Sequence, residues 1–399
     1  MEREHGLGTH LAHAGSISFA KKVAKSVSVP KVPPIYMTSV FSFDDVPTLD
    51  EVYAGTSSGY VYTRMANPSY DCLSELMAHA EGCDNALVSA SGMGAIITSI
   101  IANVKAGDHI LASPVLYGAV YDYLKNEVTR FGVEVDFADF VNDDIEKHIK
   151  PNTKVLYTET ITNPLMEVMD IKKIADVAHK HGAKLIVDNT FATPAVCRPL
   201  ELGADVSVYS ATKYLGGHSD ITSGIVCGNA ATIDHIKRYS ILYGATPSPF
   251  DAWLLTRSLR TLELRVRAHS ENAIKVAEYF EKHPKAEKVF YPGLKNSPFN
   301  AVAMKQFTNG WCGGMLSVDI AGGEAGASAF IKHCENVKFV PSLAGYATTI
   351  SYPAKTSHRA YSPEKLTEAG ISMGTLRFSI GLERIEDVIE EFDRAFKNV

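Results

Sequence analysis

The sequence predicts an α/β protein whose core is a mostly parallel, seven-stranded sheet with helices on both faces. From about residue 70, short apolar runs alternate with amphipathic stretches. The runs are almost continuously apolar, which is typical of parallel strands that are covered on both sides. The predicted strands are Ala86–Ser89, His109–Ala112, Glu134–Phe137, Lys154–Tyr157, Lys184–Val187, Val206–Tyr209 and Ser223–Val226.

The stretches between these strands have helical spacing. In Ile174–His181, for example, the side chains of Ile174, Val177, Ala178 and His181 share one face. Helices that alternate with apolar strands indicate crossover connections, which place helices on both sides of a parallel sheet.

A smaller α+β domain is predicted after the sheet. A long helical stretch from about Phe250 to His283, rich in Leu, Arg and Glu, would connect the two parts. The elements predicted beyond it are the strands Met315–Ile320 and Thr375–Ser379 and the helices Ala325–Cys334 and Ile385–Phe396.

The segment before the sheet lacks a clear periodicity. It contains Pro30, Pro33 and Pro34 and a Ser-, Gly- and Tyr-rich run from Gly55 to Tyr62. We expect an extended arm that lies against a second subunit. A chain of 399 residues exceeds one ordinary hydrophobic core, so several domains are expected. The predicted divisions are an arm over 1–65, a large domain over 66–258 and a C-terminal domain over 259–399.

The composition excludes several classes of function. A net charge of -6 gives no basic face for nucleic acid. No apolar stretch approaches the roughly 20 residues that span a bilayer, and the charged start lacks the apolar region of a signal peptide. Six cysteines without a CxxC pair indicate reduced thiols and a cytoplasmic protein. His218 and Asp220 offer no third ligand, so no metal is expected.

A lysine follows the predicted strand Val206–Tyr209 directly, in the segment Ser210-Ala-Thr-Lys213-Tyr-Leu-Gly-Gly. Ser210 and Thr212 offer hydroxyl donors to an anion. Lys213 can form an imine with a carbonyl compound when burial or nearby cations lower its pKa. A surface-loop lysine would fit the same local pattern, so the interpretation depends on other segments.

Two other segments follow predicted strands, at the edge where open α/β sheets bind ligands. Asp188 could pair with a protonated pyridine nitrogen, although a helix cap or a metal ligand would fit as well. Ser91-Gly92-Met93-Gly94 opens a helical run, and its amides could bind a phosphate. The third glycine of a dinucleotide motif is replaced by Ile97, which disfavours a Rossmann site. With Lys213, these segments are the parts of a pyridoxal 5'-phosphate (PLP) site.

The segment Ser210-Ala-Thr-Lys213-Tyr-Leu-Gly-Gly-His-Ser-Asp-Ile resembles the cofactor-lysine signature of the Cys/Met-metabolism PLP enzymes of fold type I. The resemblance runs from Thr38-Ser-Val-Phe to Arg377-Phe-Ser-Ile-Gly-Leu-Glu383. This family contains cystathionine γ-synthases, cystathionine γ- and β-lyases, methionine γ-lyases and O-acylhomoserine sulfhydrylases. The resemblance therefore implies a fold type I PLP enzyme with an amino-acid substrate.

The resemblance implies cofactor contacts along much of the chain. Lys213 would hold PLP as a Schiff base and act as general base, and Tyr117 would stack on the ring and protonate the leaving group. Asp188 would pair with the ring nitrogen, and Asn163 would hydrogen-bond the ring hydroxyl. The implied cofactor-binding residues are Tyr62, Arg64, Ser91, Gly92, Met93, Tyr117, Asn163, Asp188, Ser210, Thr212 and Lys213.

Substrate contacts and assembly are implied in the same way. Arg377 would bind the substrate carboxylate through its bidentate guanidinium, helped by Ser342. Tyr62 and Arg64 would reach the PLP phosphate of the neighbouring subunit. The resemblance therefore implies at least a dimer, and suggests a homotetramer formed from two dimers with shared active sites.

The expected reaction is γ-elimination on a methionine- or homocysteine-like amino acid, giving 2-oxobutyrate, ammonia and a thiol. Two alternatives stay open: γ-replacement, as in O-acetylhomoserine sulfhydrylase or cystathionine γ-synthase, and cystathionine γ- or β-lyase activity. A PLP-binding regulator without catalysis is disfavoured because Lys213, Tyr117, Asp188 and Arg377 are all present.

A few positions bear on this choice. Members that act on cystathionine typically carry a glutamate before the serine of the Ser-Leu-Gly motif, where this chain has Pro341. The segments Gly-His-Ser-Asp-Ile-Thr-Ser-Gly and Gly-Ile-Ser-Met-Gly resemble methionine γ-lyases. Against this, Ala119 replaces the cysteine of those lyases and Ser240-Ile241 replaces their Lys-Asp pair. Tyr346 and Thr348 are expected to line an unusual side-chain pocket.

Overall fold

Two β-sheets organise the protein in the computed structural model, which describes residues 6–13, 30–359 and 362–399. The strands of the larger sheet are β1 (Asn85–Ser89), β2 (His109–Ala112), β3 (Glu134–Phe137), β4 (Thr153–Glu159), β5 (Lys184–Asp188), β6 (Val206–Ser210) and β7 (Gly224–Gly228). Their order is β1-β7-β6-β5-β4-β2-β3, and β7 runs antiparallel to both of its neighbours, β1 and β6, while the other pairs are parallel. The predicted seven-stranded, mostly parallel sheet is confirmed, and each predicted strand overlaps an observed one.

Helices cover both faces of this sheet, as predicted. On one face Ile110 and Tyr157 join a buried cluster, and on the other Leu111 and Leu156 join a second. The helices up to the end of the sheet are α1 (Leu7–His13), α2 (Val46–Ala54), α3 (Pro68–Glu81), α4 (Gly92–Ile101), α5 (Gly118–Asp122), α6 (Ile171–Lys180), α7 (Thr193–Val196) and α8 (Ala230–Tyr243). In the described ranges, no helix is both long enough and apolar enough to cross a bilayer.

Two helical predictions need correction. The stretch from Phe250 to His283 is not continuous, because α9 (Pro249–Leu259) ends before α10 (Leu262–Lys282) begins. The break falls at Thr261, whose hydroxyl donates to the Ser258 carbonyl at 3.2 Å. Such a side-chain bond competes with the helical backbone bonds. In addition, His181 lies beyond the end of α6 and is exposed, so it does not extend the buried face.

A five-stranded sheet forms the core of the C-terminal part. Its strands are β8 (Ala286–Phe290), β9 (Met315–Ile320), β10 (Lys338–Phe339), β11 (Thr349–Ser351) and β12 (Thr375–Ser379), in the order β10-β11-β12-β9-β8. Its helices are α11 (Asn300–Gln306), α12 (Gly323–Lys332), α13 (Pro363–Glu368) and α14 (Ile385–Phe396). Phenylalanine rings that pack against one another, among them Phe280, Phe378 and Phe392, fill the space between sheet and helices. The predicted α+β character of this part is confirmed.

The described part of the predicted arm, residues 30–65, contributes no strand to either sheet. It is not extended throughout, because it contains α2 and a single bridge between Val40 and Tyr62. It is attached to the large sheet's helices by a few bonds, such as the indole of Trp253 donating to the Pro33 carbonyl at 2.9 Å. Val40 and Met37 are more than half exposed. The remainder of the arm lies outside the described residues, and the three domain limits stay predictions.

Candidate active site

A cavity of about 630 Å³ lies between the carboxyl ends of β4, β5 and β6 and the C-terminal part of the chain. Parallel strands that end side by side form the edge where open α/β sheets bind ligands. The sequence-predicted residues that line the cavity are Ser91, Gly92, Met93, Tyr117, Asn163, Asp188, Ser210, Thr212, Lys213, Ser342 and Arg377.

The turn between β1 and α4 presents a helix N-terminus to the cavity. Ser91 is the helix cap, since its hydroxyl oxygen accepts a bond from the Gly94 amide at 3.0 Å. Gly92 allows the turn to approach β6, because a Cβ there would lie 2.6 Å from the Ser210 Cβ. The unpaired amides and the dipole of the helix favour an anion at this point, and the hydroxyl of Ser210 lies beside it.

Two carboxyl groups lie side by side at the ends of β4 and β5. Glu159 and Asp188 are strand partners, and both are buried. Burial raises the pKa of Asp188 to about 6, against the effect of two hydrogen bonds from Thr190, at 3.0 and 2.5 Å. Burial and the charge of Asp188 hold the pKa of Glu159 well above its usual range. Both carboxyl groups are therefore harder to ionise than they would be in water.

The loop after β6 carries Lys213 and is held by hydrogen bonds to its backbone. The Lys213 amide donates to the Ser210 carbonyl at 3.0 Å. Arg265, a buried residue of α10, donates from its guanidinium to the Tyr214 carbonyl at 2.7 Å. Gly217 makes room for this guanidinium, since a Cβ at its φ of 71° would lie 2.0 Å from the Arg265 Nη1. The loop thus holds the lysine through backbone contacts that leave its amine free to act.

Two cations, Lys213 and Arg377, line the cavity within electrostatic reach of each other. Arg377, on β12, is buried and donates from Nη1 to the Asn163 Oδ1 at 2.7 Å. Burial lowers the pKa of Arg377 to about 10. Burial and the charge of Arg377 lower the pKa of Lys213 from its usual value. A lysine amine with a lowered pKa is a better nucleophile and base at neutral pH.

Tyr117 stands at the start of α5 with its side chain 47% exposed. Its amide donates to the Glu159 Oε1 at 2.6 Å, which ties the tyrosine to the end of β4. The next residue, Gly118, lies against the segment 355–359, because a Cβ on it would approach the Ser357 carbonyl oxygen to 2.7 Å. The backbone at Tyr117 and Gly118 is therefore fixed on both sides, while the tyrosine side chain stays accessible.

The cavity wall also includes Pro341, Ser342 and Leu343. The hypothesis that Tyr346 and Thr348 line a side-chain pocket is wrong. Tyr346 is 59% exposed and outside the cavity wall, and the buried Thr348 donates its hydroxyl to Glu383 at 2.9 Å. Thr348 instead anchors its loop to the turn between β12 and α14.

Tyr62 and Arg64 do not line the cavity of their own chain. The Arg64 guanidinium donates to the Ile241 carbonyl at 2.8 Å and lies 5.6 Å from the centre of the Tyr62 ring. Their role at a neighbouring subunit stays a prediction. Ala119 also lies outside the cavity wall.

Sequence reasoning missed several lining residues. Glu159 lies two residues past the predicted end of its strand. An acidic residue at the carboxyl end of a predicted strand could have identified it. Thr190, which holds Asp188, follows in the same Asp-Asn-Thr run. The segment Lys355–Arg359 has no periodic pattern that would have placed it beside the other residues.

No group of three His, Cys, Asp or Glu side chains in the described part of the chain could hold a metal ion. His218 has other partners: its Nδ1 lies 2.6 Å from the Gly216 carbonyl oxygen and 3.5 Å from the Ser258 hydroxyl.

Known proteins resemble this chain over nearly its whole length. Residues 9–397 match the family described as Cys/Met metabolism PLP-dependent enzyme. The L-methionine gamma-lyase of Porphyromonas gingivalis is 41% identical over 97% of this chain and 96% of the relative. The crystal structure of cystathionine gamma-lyase from Lactobacillus plantarum, complexed with L-serine, is 32% identical, with a TM-score of 0.90 and 99% of each chain covered. A candidate O-acetylhomoserine (thiol)-lyase from Campylobacter jejuni, with N'-pyridoxyl-lysine-5'-monophosphate, is 28% identical, with a TM-score of 0.92 and 98% and 100% coverage.

The sheet topology and these likenesses define a PLP-dependent enzyme of fold type I. The chain belongs to the Cys/Met metabolism PLP-dependent enzyme family, and its cofactor is PLP. The chemistry of the cavity fits this cofactor: Lys213 offers an amine for an aldehyde, Asp188 a carboxylate for a ring nitrogen, and the N-terminus of α4 amides for a phosphate. The role of each residue stays a prediction.

Proposed function

We propose that this enzyme catalyses γ-elimination on a γ-substituted L-amino acid of the methionine or homocysteine type. The products would be 2-oxobutyrate, ammonia and the leaving group, a thiol for sulfur substrates. The observation that carries the proposal is that Lys213, Tyr117 and Arg377 line one cavity, where a substrate amino acid could contact all three. The identity of 41% with a methionine gamma-lyase supports the choice of substrate.

Each of these residues has a proposed role. Arg377 fixes the substrate α-carboxylate, since its guanidinium is buried and lies on a rigid strand. Lys213 moves the protons of Cα and Cβ, which its lowered pKa favours. Tyr117 donates a proton to the leaving group. PLP, when bound, supplies the electron sink that makes these protons removable.

Three further groups are proposed to hold the cofactor. Asp188 bonds the ring nitrogen, and Asn163, whose Oδ1 is taken by Arg377, offers its Nδ2 hydrogens to the ring hydroxyl. The amides of α4, with Ser210 and Thr212, bind the phosphate. Because burial keeps the pKa of Asp188 near 6, a positive charge on the ring nitrogen would stabilise its ionised form.

The second candidate is γ-replacement, as in an O-acetylhomoserine sulfhydrylase. Ala119 and Ser240-Ile241, which depart from the methionine γ-lyase pattern, favour it. The likeness to a candidate O-acetylhomoserine (thiol)-lyase supports it as well. Cystathionine as substrate is disfavoured because the wall at Pro341 offers no carboxylate to a distal ammonium.

We also propose an assembly of at least two subunits, in which Tyr62 and Arg64 complete the neighbour's phosphate site. Arg64→Ala and Lys213→Ala would each be inactive alone. Mixed subunits would regain about a quarter of the activity, because one site of each hybrid dimer would be intact. No recovery on mixing would contradict the shared site.

The experiment that tests the reaction is release of 2-oxoacid from methionine, homocysteine, cystathionine, cysteine and O-acetylhomoserine, each with and without sulfide. Release of 2-oxobutyrate from methionine or homocysteine without sulfide would support γ-elimination. Consumption of O-acetylhomoserine only with sulfide, and without release of a 2-oxoacid, would contradict γ-elimination and indicate γ-replacement. Pyruvate from cysteine or cystathionine alone would indicate a β-lyase.

A further inference from the structure

The charged residues that line the cavity divide between two walls. The lining carboxyl groups, Glu159 and Asp188, lie at the ends of β4 and β5. We call the opposite face, formed by 341–343, 355–359 and Arg377, the substrate wall. Its charged lining residues are all cations: Lys355, Arg359 and Arg377.

Two of these cations already have partners or a role. Lys355 forms an ion pair with Glu324 at 2.8 Å, and Arg377 bonds Asn163 and is proposed to take the substrate α-carboxylate. Arg359 is exposed and forms no ion pair with any residue that the structure describes. A guanidinium that lines a cavity without a carboxylate beside it is a site for an anionic part of a ligand.

The backbone around Arg359 is fixed. The amide of the neighbouring His358 donates to the Pro353 carbonyl at 2.9 Å, and the His358 ring is buried. Burial lowers the pKa of His358 to about 4, so this ring adds no charge to the wall at neutral pH. On the other side, the Ser357 carbonyl lies against Gly118, directly after Tyr117. Arg359 therefore belongs to a segment that is seated on the loop of the proposed proton donor.

We propose that Arg359 determines specificity by binding a negative charge at the far end of the substrate's γ-substituent. The inference rests on the proposed function, because the γ-substituent is the group that leaves in that reaction. Pro341 and Arg359 act in the same direction: the wall lacks a carboxylate for a distal ammonium and holds a cation for a distal carboxylate or phosphate. Among the γ-substituted amino acids of the proposed function, this wall therefore favours those whose γ-substituent ends in a negative charge over those that end in a methyl group or an ammonium.

Binding tests this inference without depending on the reaction. L-2-aminoadipate, L-norleucine and L-lysine have the same main-chain length and end in an anion, a methyl group and a cation. Their affinities for the holoenzyme can be measured from the visible spectrum of the bound cofactor. We expect aminoadipate to bind most tightly. Arg359→Gln should lower the affinity for aminoadipate by roughly ten- to a hundred-fold, the size of a lost charge-assisted hydrogen bond, and leave the affinity for norleucine unchanged.

Two variants serve as matched controls. Arg359→Lys keeps the charge and should retain part of the preference. Lys355→Gln removes a cation of the same wall that Glu324 already neutralises, and should leave the ratio of the affinities unchanged. A wild-type enzyme that binds norleucine as tightly as aminoadipate would overturn the inference. Equal loss of affinity for all three ligands in Arg359→Gln would also overturn the inference, since it would place Arg359 at the α-carboxylate that the ligands share.

Turnover tests the same charge preference on substrates that react. O-Succinyl-, O-phospho- and O-acetyl-L-homoserine share the reacting Cγ–O bond and differ in charge. Release of the acid, measured with and without sulfide, counts elimination and replacement alike. Faster turnover of the succinyl or phospho ester than of the acetyl ester, lost in Arg359→Gln, would support the inference about Arg359. If no 2-oxobutyrate formed in that case, only the proposal of γ-elimination would be wrong. An equal rate on all three esters, with 2-oxobutyrate formed, would overturn Arg359 and leave γ-elimination intact.

Discussion

The two walls of the cavity are built differently. The cofactor wall is formed by the ends of β4, β5 and β6 and the N-terminus of α4, all fixed by sheet hydrogen bonds and buried contacts. Apart from Arg377 on β12, the substrate wall is formed by the irregular segments 341–343 and 355–359. The chemistry that the family shares lies on strand ends and on the short loops directly after them, whereas longer irregular segments hold the contacts that can select a substrate.

This comparison predicts that changes to the cofactor wall abolish the reaction on every substrate. Changes to the irregular part of the substrate wall should alter the choice of substrate and leave the chemical step largely intact. Changes to the cofactor wall should therefore lower kcat, whereas changes to the irregular part of the substrate wall should mainly alter KM.

The largest effect is expected from Lys213→Ala. Loss of the amine removes both the attachment of PLP and the general base, so turnover should fall by at least about 10³-fold on every substrate. Activity assays on the purified variant, supplied with PLP, check this. Lys172→Ala is the matched control, because Lys172 is exposed and pairs only with Asp176 on the same helix. Near wild-type turnover by Lys213→Ala would show that the reaction does not depend on this lysine.

The next largest effect is expected from Asp188→Asn. Without a carboxylate for the ring nitrogen, kcat should fall by roughly 10²- to 10³-fold, as when one electrostatic partner of a reacting group is removed. Asparagine keeps an acceptor oxygen for Thr190, so the local fold should persist. Glu81→Gln alters another buried carboxyl group outside the cavity, and should leave kcat within a few-fold.

The same variant has a predicted effect on stability that runs in the opposite direction. Since burial raises the pKa of Asp188 to about 6, the folded apoenzyme holds this proton more tightly than the unfolded chain does. Its free energy of unfolding should therefore fall as the pH rises from about 4 to 6, and stay lower above that window. Asp188→Asn should remove this fall and stabilise the apoenzyme at pH 7 by about 1–3 kcal/mol. Urea unfolding of both apoenzymes at several pH values measures it as the difference between the two stability curves, since the other carboxyl groups contribute to both. A difference that stays constant from pH 4 to 6 would contradict the burial argument.

A smaller effect is expected from Gly92→Ala. The new methyl group would lie 2.6 Å from the Ser210 Cβ and 2.8 Å from its Cα, so the N-terminus of α4 must shift away from the phosphate site. The dissociation constant of PLP should rise by about tenfold, the effect of roughly one lost hydrogen bond to a charged group. Gly6→Ala is the control, because nothing lies within 4 Å of a Cβ at that position. Unchanged retention of PLP in Gly92→Ala would mean that this turn does not hold the phosphate.

The smallest effect is expected on the substrate wall, from Glu383→Ala. Glu383 accepts bonds from the amide and the hydroxyl of Thr348 and so positions the loop that carries Ser342. Its loss should raise KM by about three- to tenfold and change kcat much less, in proportion to one or two hydrogen bonds. Glu383→Gln, which keeps one acceptor, should recover part of the loss. A fall in kcat with KM unchanged would instead connect Glu383 to the chemical step.

The sequence predicted the cofactor wall well because strand ends can be recognised. Asp188 and Ser210 each follow an apolar run directly, and Gly92 comes three residues after another. The order of these runs predicts that they meet at one edge. Arg377 lies in a strand whose predicted limits match the structure, but its place opposite Lys213 depends on how the two sheets pack. Neither sheet alone encodes that packing.

The elements that were missed have local reasons. The strands β10 and β11 have two and three residues, too short for a period of two to be recognised. The helix break at Thr261 depends on one side-chain bond, within a stretch that is otherwise favourable for a helix. Arg359 lies in a turn, and its position at the cavity follows from the buried His358 and from Gly118, which is distant in the chain.

The most direct measurement is to reduce the holoenzyme with borohydride and map the pyridoxyl group by peptide mass spectrometry. Reduction makes the bond between PLP and a lysine amine permanent. We predict a single modified peptide, with the pyridoxyl group on Lys213, and its loss in Lys213→Ala. A pyridoxyl group on any other lysine, or none on a protein with the visible absorbance of bound PLP, would contradict the site described above.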